Sequence, residues 1–210
     1  MSKDVFISRA SLILSLRQNG IVSPDILKAF ETTPHEFFVP DEYAQYAYKD
    51  KTLPLGFSQS MTSPNHLAEL FVVLEPMGAK KLLEIGTGSG YCAAVLSRMV
   101  KRVFSIEKIN ILSHKAQENW ANARTSGTVG FCADGLKGLA AQQPYDRILL
   151  SGSVKEIPKM LLEQLSDEGI LVAPIGHANE RQTITKVEKI DDEFIISEHG
   201  YIRMSALSKK

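Results

Sequence analysis

Two cysteines, one tryptophan and no excess of either charge mark this 210-residue chain, and each scarcity narrows what it can be. Cys92 and Cys132 cannot make a disulfide framework and stand at no metal-ligand spacing. Both fall in segments expected to be buried, as small core residues in a reducing compartment. Lysine plus arginine and aspartate plus glutamate each number 24, so nothing electrostatic favours nucleic acid or an anionic membrane as the main partner. No apolar run approaches the roughly 20 residues needed to span a bilayer, and the N-terminal stretch is interrupted by Arg9 and lacks a convincing cleavage site. The five histidines, His35, His66, His114, His177 and His199, sit at no metal spacing, and no metal is expected. Repeats and low-complexity tracts are missing too. The expectation is a single cytoplasmic domain of ordinary composition, 44% hydrophobic and 23% charged, whose oligomeric state nothing in the sequence specifies.

What is present is a regular alternation of apolar runs and amphipathic segments. Asp4 to Arg17, carrying Val5, Phe6, Ile7, Leu12, Ile13, Leu14 and Leu16, reads as a helix stopped at Gly20. Ser23-Pro24-Asp25 supplies an N-cap, a first-turn proline and an acid for a second helix. From Thr33 to Pro64 prolines and turns are interspersed with Phe37, Phe38, Tyr43, Tyr46 and Tyr48, too apolar for a solvated linker and suited to a cover over the core. A helix capped by Thr62 or Ser63 follows from Pro64. Strands are expected over Lys81–Ile85, Arg102–Ile106, Gly127–Cys132, Asp146–Ser151 and Gly169–Ile175, and helices after Tyr91 and over Asn110–Ala123, Gly135–Ala141 and Pro158–Leu165. Such alternation implies parallel pairing with right-handed crossovers, an α/β doubly wound sheet. Beyond Gly176, two alternating segments around Asp191-Asp192 imply an antiparallel hairpin at the sheet edge. Three parts result: 1–63 as N-terminal helices and lid segment, 64–176 as core, 177–210 as hairpin.

The chemistry centres on Leu83-Glu84-Ile85-Gly86-Thr87-Gly88-Ser89-Gly90-Tyr91, a strand, a glycine loop and a helix start. Glycines at 86, 88 and 90 let a ligand lie against the main chain. A dinucleotide fingerprint reads G-x-G-x-x-G, whereas Tyr91 takes the third glycine's place here and the pattern is G-x-G-x-G, which disfavours NAD relative to S-adenosylmethionine. In a doubly wound sheet ligands bind outside the C-terminal strand ends. Glu107 closes one such strand about 20 residues after the glycines, placed to accept hydrogen bonds from ribose hydroxyls, and Asp134-Gly135 closes the next, placed to meet an adenine amino group. The expected cofactor residues are therefore Glu84, Gly86, Thr87, Gly88, Ser89, Gly90, Glu107, Asp134 and Gly135. Trp120, on the helix after Glu107, is read as a packing residue.

Further motifs join these: Phe38-Val39-Pro40, Ala47-Tyr48-Lys49-Asp50, Leu53-Pro54-Leu55-Gly56 and Glu156-Ile157-Pro158. With them the chain resembles the protein-L-isoaspartate O-methyltransferases, Rossmann-like S-adenosylmethionine-dependent enzymes, from about Ser8 to Ile175. The resemblance implies methyl transfer to the carboxylate of isoaspartyl residues in damaged proteins or peptides, followed by succinimide formation and repair. It places the family's active-site serine on Thr62, with Ser60 beside it, and makes Gln59, Met61 and Tyr201 the expected peptide contacts. The family reads Gly-Gln-Thr-Ile-Ser-x-Pro where this chain has Ser58-Gln59-Ser60-Met61-Thr62-Ser63-Pro64. A Val-Pro-Leu end gives way to Tyr201-Ile202-Arg203-Met204-Ser205-Ala206-Leu207, Thr-Ala-Ala to Ser151-Gly152-Ser153, and Pro-Gly-Gly to Asp167-Glu168-Gly169.

An acceptor carboxylate, with a reference pKa of about 4, is ionised at neutral pH and needs no general base, so the lack of a catalytic histidine is no objection. Cancelling two charges favours a dry, aligned site, a task for the aromatic segment from Phe37 to Met61. Two alternatives follow from the departures: the same enzyme class with a retuned acceptor, or an S-adenosylmethionine-binding protein without isoaspartyl activity.

Overall fold

The computed structural model describes residues 3–178 and 180–207, and side chains from residue 7 onward within them. Helix α1 (Lys3–Gln18) buries Leu12 and Leu16 while Ile7 and Leu14 face solvent. Val5 and Phe6, expected on its apolar face, lie outside the described side chains. In α2 (Pro24–Thr32) Ser23 Oγ accepts the Ile26 N–H at 3.4 Å and Pro24 has no N–H to satisfy, while Ile26, Leu27, Ala29 and Phe30 face inward. The Phe30 ring lies 5.7 Å from Phe71 and 6.1 Å from Tyr91, centroid to centroid. Burying a side chain of this size contributes about 2–3 kcal/mol, enough to fasten the N-terminal helices to the sheet-covering layer.

The expected cover is more ordered than its turn-rich sequence suggests. Two short 3-10 turns, His35–Phe37 and Asp41–Tyr46, lead into a hairpin of β1 (Leu53–Gly56) and β2 (Gln59–Met61). Phe38 and Tyr48 are buried, but Phe37 and the hairpin tip Phe57 are about half exposed, so only part of the aromatic segment covers the core. Phe57 and Ser58 form the two-residue turn with φ of 54° and 56°. Such turns favour Asn-Gly because both central residues take a left-handed backbone. Ser58 takes it where the resembling family has glycine.

Helix α3 (Pro64–Leu74) starts at Ser63, whose side chain makes no capping bond, and Thr62 makes none either. One or the other is the cap that the sequence leads one to expect. Ser63 is buried, and the Asn65 N–H is satisfied instead by Asp50 Oδ1 at 2.9 Å, so Asp50 pins the cover to this helix. Then come β3 (Lys81–Ile85), α4 (Tyr91–Leu96), β4 (Arg102–Glu107), α5 (Asn110–Asn122), β5 (Thr128–Cys132), β6 (Tyr145–Leu150), α6 (Lys159–Leu162), β7 (Leu165–Ile175), β8 (Gln182–Ile190) and β9 (Glu193–Ile202). The helix expected over Gly135–Ala141 is two 3-10 turns, and β7 begins four residues earlier than expected.

The sheet runs β5-β4-β3-β6-β7-β8-β9, parallel through β7 and antiparallel beyond, which is the doubly wound sheet with an edge hairpin. Successive side chains alternate between faces. Leu82, Val103, Leu149 and Val172 thus meet α1 to α4, and Leu83, Ile106, Leu150 and Leu171 build a second core behind. Strand β5 is an edge, and this corrects the expectation for Cys132: it is exposed, whereas Cys92 is buried, and both are free.

His35 lies fully buried in the first core, stacked on Tyr91 with centroids 3.8 Å apart, and neither ring nitrogen has a well-formed partner. Burial pushes its pKa down to about 3, and the nearby Ala47 backbone offsets little of this. The native state therefore binds fewer protons than the unfolded chain between pH 6.5 and about 3. Stability is fully present above this window and falls with pH inside it, by about 1.4 kcal/mol per unit. Replacing His35 by Phe removes this loss: between pH 7.5 and 5, urea unfolding should show the wild type losing about 2 kcal/mol more than His35→Phe. At the hairpin tip, Ser58→Gly should raise stability by about 0.5–1 kcal/mol, the relief of a left-handed serine less the added freedom of the unfolded chain. Thermal unfolding of the two proteins measures it.

Candidate active site

Strands β3 and β4 end side by side, with Ile85 opposite Ile106, and their ends carry the loop and the acid that the sequence singled out. Gly86 N–H donates to the Ile106 carbonyl and Gly90 N–H to the Thr87 carbonyl, so the loop folds back on the strand end before α4 begins. Gly90 has φ 85°, and a Cβ there would sit 2.7 Å from Trp120 Nε1. Trp120 donates from that nitrogen to the Gly90 carbonyl at 2.8 Å, and Asn119 Nδ2 donates to the Ser89 carbonyl at 2.9 Å. The packing residue of the sequence is thus a clamp on the loop.

Glu107, nearly buried, accepts the Gly88 N–H at Oε2 and the Ile109 N–H at Oε1, both at 2.9 Å. These bonds fix the carboxylate at the mouth of a narrow cleft of about 40 Å³ lined by Gln59, Gly86, Ile106, Asp134, Gly135 and Leu207, among others. Asp134 accepts the Leu136 N–H at 3.2 Å and faces Lys108 Nζ at 3.4 Å. Gly135 packs its backbone on Ile85 and Ile106, where a Cβ has no room. Two carboxylates beside apolar walls are the donor set an adenosine requires: acceptors for hydroxyl and amino groups, and flat contacts for a ring. The cleft residues therefore fit S-adenosylmethionine.

Glu84 is placed differently from the other cofactor candidates. Its carboxyl has no exposure and lines none of the clefts; it accepts Ser105 Oγ at 2.5 Å and Ser151 Oγ at 3.0 Å. Ser105 Oγ in turn lies 2.6 Å from Thr87 Oγ1. Burial pushes the Glu84 carboxyl up to about 7; hydrogen bonds from Cys92, Ser105 and Ser151 restrain the rise, and the Glu107 charge adds to it. Any action of Glu84 on a ligand passes through the loop and the serines.

Gln59, Ser60, Met61 and Thr62 come from β2 and the residue after it. Thr62 lines a cavity of about 570 Å³ between the β1–β2 hairpin and the C-terminal segment, and also two clefts of about 30 Å³ beside the glycine loop. Gln59 lines the large cavity and the narrow cleft beside Glu107, and Met61, buried, lines one of the small clefts. Ser60 Oγ and Ser205 Oγ are 2.7 Å apart, tying the hairpin to the C-terminal segment. Tyr201 joins none of these; it is mostly exposed, with the Arg181 guanidinium 4.7 Å above its ring. The sequence missed Leu207, Ser151 and Arg203. Leu207, held by N–H donation to the Ser153 carbonyl, packs against Gly86 and Gly152, while Arg203 lines the large cavity. Their signal was the departure at Ser151-Gly152-Ser153 and the run of departures at the C-terminus. Among the described residues, no group of three or more His, Cys, Asp or Glu could hold a metal ion.

Known proteins resemble this chain over nearly its whole length. The family model described as Protein-L-isoaspartate(D-aspartate) O-methyltransferase matches residues 7–210, thus including the C-terminal hairpin that the sequence motifs had left out. A protein-L-isoaspartate O-methyltransferase of Maricaulis maris is 37% identical over 198 residues, 94% of this chain and 92% of that one. Its counterpart in Methanospirillum hungatei is 36% identical, covering 91% and 88%. A solved protein-L-isoaspartate O-methyltransferase superposes with a TM-score of 0.86 at 28% identity, over 95% of this chain and 66% of that one. The chain belongs to the protein-L-isoaspartate(D-aspartate) O-methyltransferase family.

Proposed function

We infer that this chain is an S-adenosylmethionine-dependent carboxyl methyltransferase that esterifies isoaspartyl residues of damaged proteins and peptides, the first step of their repair. One observation carries the assignment of roles: Thr62 stands on the wall shared by the large cavity and the glycine-loop clefts, where donor and acceptor must meet. S-adenosylmethionine supplies, when bound, an electrophilic methyl on a sulfonium that leaves as a neutral thioether. The chain's own tasks are to bind, align and dry the reactants.

Glu107 receives the ribose hydroxyls, with its two backbone bonds keeping the carboxylate aimed. Asp134 and Gly135 take the adenine, and the loop from Gly86 to Gly90 carries the methionine end. Glu84 acts as a positioning residue, setting Thr87 through Ser105 and setting Ser151 directly. At the acceptor side, the Thr62 hydroxyl orients the carboxylate that forms the new C–O bond. That carboxylate is ionised without help, so Thr62 aligns rather than deprotonates, and alignment is the largest contribution available to such a site. Gln59, Ser60 and Met61 form the wall between cofactor and peptide, and Tyr201 touches peptide outside the cavity. The three parts of the chain act as one unit because β2 and the C-terminal segment both close over the sheet. A cytoplasmic setting is supported by the two free thiols.

The decisive assay sets an isoaspartyl peptide beside its aspartyl twin with labelled S-adenosylmethionine. Methyl ester is expected on the isoaspartyl peptide alone, and turnover of neither would remove the reading. Thr62→Ser should keep activity, whereas Thr62→Val should lower kcat by about 10- to 100-fold with little change in cofactor affinity. Equal activity of all three proteins would take the alignment role from Thr62. For Glu107→Gln, calorimetry should find the Kd for S-adenosylmethionine raised about 10-fold or more, the worth of a charge-assisted hydrogen bond. An unchanged Kd would place the ribose elsewhere.

A further inference from the structure

The large cavity between the β1–β2 hairpin and the C-terminal segment is lined by neutral groups with one exception. Thr52, Ser58, Gln59, Ser60, Thr62 and Ser205 present hydroxyls and an amide, and Arg203 is the single charged residue among the described lining. No carboxylate lines it. Nor does any described carboxylate lie within ion-pair distance of Arg203, whose side chain is exposed. Its backbone is held by its neighbours: Ile202 and Met204 are buried, the Met204 N–H donates to Gln182 Oε1 at 2.8 Å, and Arg203, Met204 and Ser205 all line the cavity. Ser205 is in turn held by Ser60.

Position separates Arg203 from the reacting carboxylate. Thr62 lines both the large cavity and the clefts beside the glycine loop, while Arg203 lines the large cavity alone. A volume of about 570 Å³ lies within the range of ligand pockets, roughly 300–1,000 Å³, and so admits more of the acceptor than one carboxylate. The hydroxyls and Gln59 can hydrogen-bond any peptide backbone and cannot discriminate its charge. Arg203 can.

We propose that Arg203 is a specificity-determining residue that favours acceptors bearing a second carboxylate, on a residue flanking the isoaspartyl residue. The proposal rests on the isoaspartyl reading above. A guanidinium matches a carboxylate with two parallel hydrogen bonds, which strengthens the pair, but exposure to solvent caps the gain, so the preference is about 3- to 10-fold and salt-sensitive. It belongs to binding, and so to KM rather than kcat.

The test uses the full chain and three isoaspartyl peptides, with glutamate on the N-terminal side, glutamate on the C-terminal side, or glutamine on both. The expected result is a kcat/KM for one glutamate peptide about 3- to 10-fold above the glutamine peptide at low salt, expressed in KM and shrinking as salt is raised. In Arg203→Gln that ratio should fall to about one, and Arg203→Lys should keep part of it. A wild-type ratio near one, or a ratio that survives in Arg203→Gln, would overturn the role of Arg203. Turnover of none of the three peptides would overturn the isoaspartyl reading itself, which keeps the two failures apart.

Discussion

A carboxyl group with no exposure to water sits where β3, β4 and β6 end, and the cofactor side of the molecule is arranged around its needs. Glu84 on β3 is bonded by Ser105 from β4 and by Ser151 just past β6, and Ser105 reaches on to Thr87 in the glycine loop. A fully charged carboxylate at this depth would be costly, and its pKa near 7 shows how burial is tolerated: the group takes up a proton near neutrality and keeps its hydroxyl partners in either state. Three strand ends and the loop are thereby held in one register. The Trp120 and Asn119 bonds to the Gly90 and Ser89 carbonyls hold the loop from its other side, so its backbone is fixed by side chains from three directions.

The same economy governs the junction between donor and acceptor. The hairpin and the C-terminal segment approach from opposite ends of the chain and meet through the hydroxyls of Ser60 and Ser205. Behind that contact Leu207 lies on Gly86 and Gly152, where neither glycine leaves room for a Cβ. The narrow cleft beside Glu107 is therefore walled in part by the segments that line the large cavity, and Gln59 belongs to both.

The doubly wound core was legible because strands buried on both faces read as continuous apolar runs, and because glycine spacing and strand-end acids are local in sequence. What stayed hidden depends on partners far along the chain. Asp50 caps the helix that Thr62 or Ser63 was expected to cap, across 15 residues, and only the fold brings it there. The β1–β2 hairpin escaped notice because Phe57-Ser58 lacks the Asn-Gly chemistry that announces such a turn. Cys132 reads as buried until strand order puts β5 at an edge. Glu84 reads as a ligand contact because its position beside the glycines is visible and its orientation is not. Leu207 and Arg203 gave no signal beyond disagreement with the family ending.

Thr62 brings these threads to the chemistry. Where the resembling family carries serine, this chain adds a methyl group to the same hydroxyl-bearing carbon, and a β-branched residue is stiffer about its first side-chain torsion than serine. A hydroxyl asked to accept or relay a proton could tolerate some wandering, because proton transfer needs only a moment of contact. A hydroxyl asked to hold an already ionised carboxylate in line with a methyl group needs the opposite, since misplacement by about 1 Å can cost a factor of about 100. In the proposed role, the substitution therefore trades room in the cavity for a stiffer hydroxyl. Thr62 lines the large cavity on one side and narrow clefts beside the glycine loop on the other. Under the proposed alignment role, retuning of the acceptor by this residue is a matter of which peptides fit beside its methyl group.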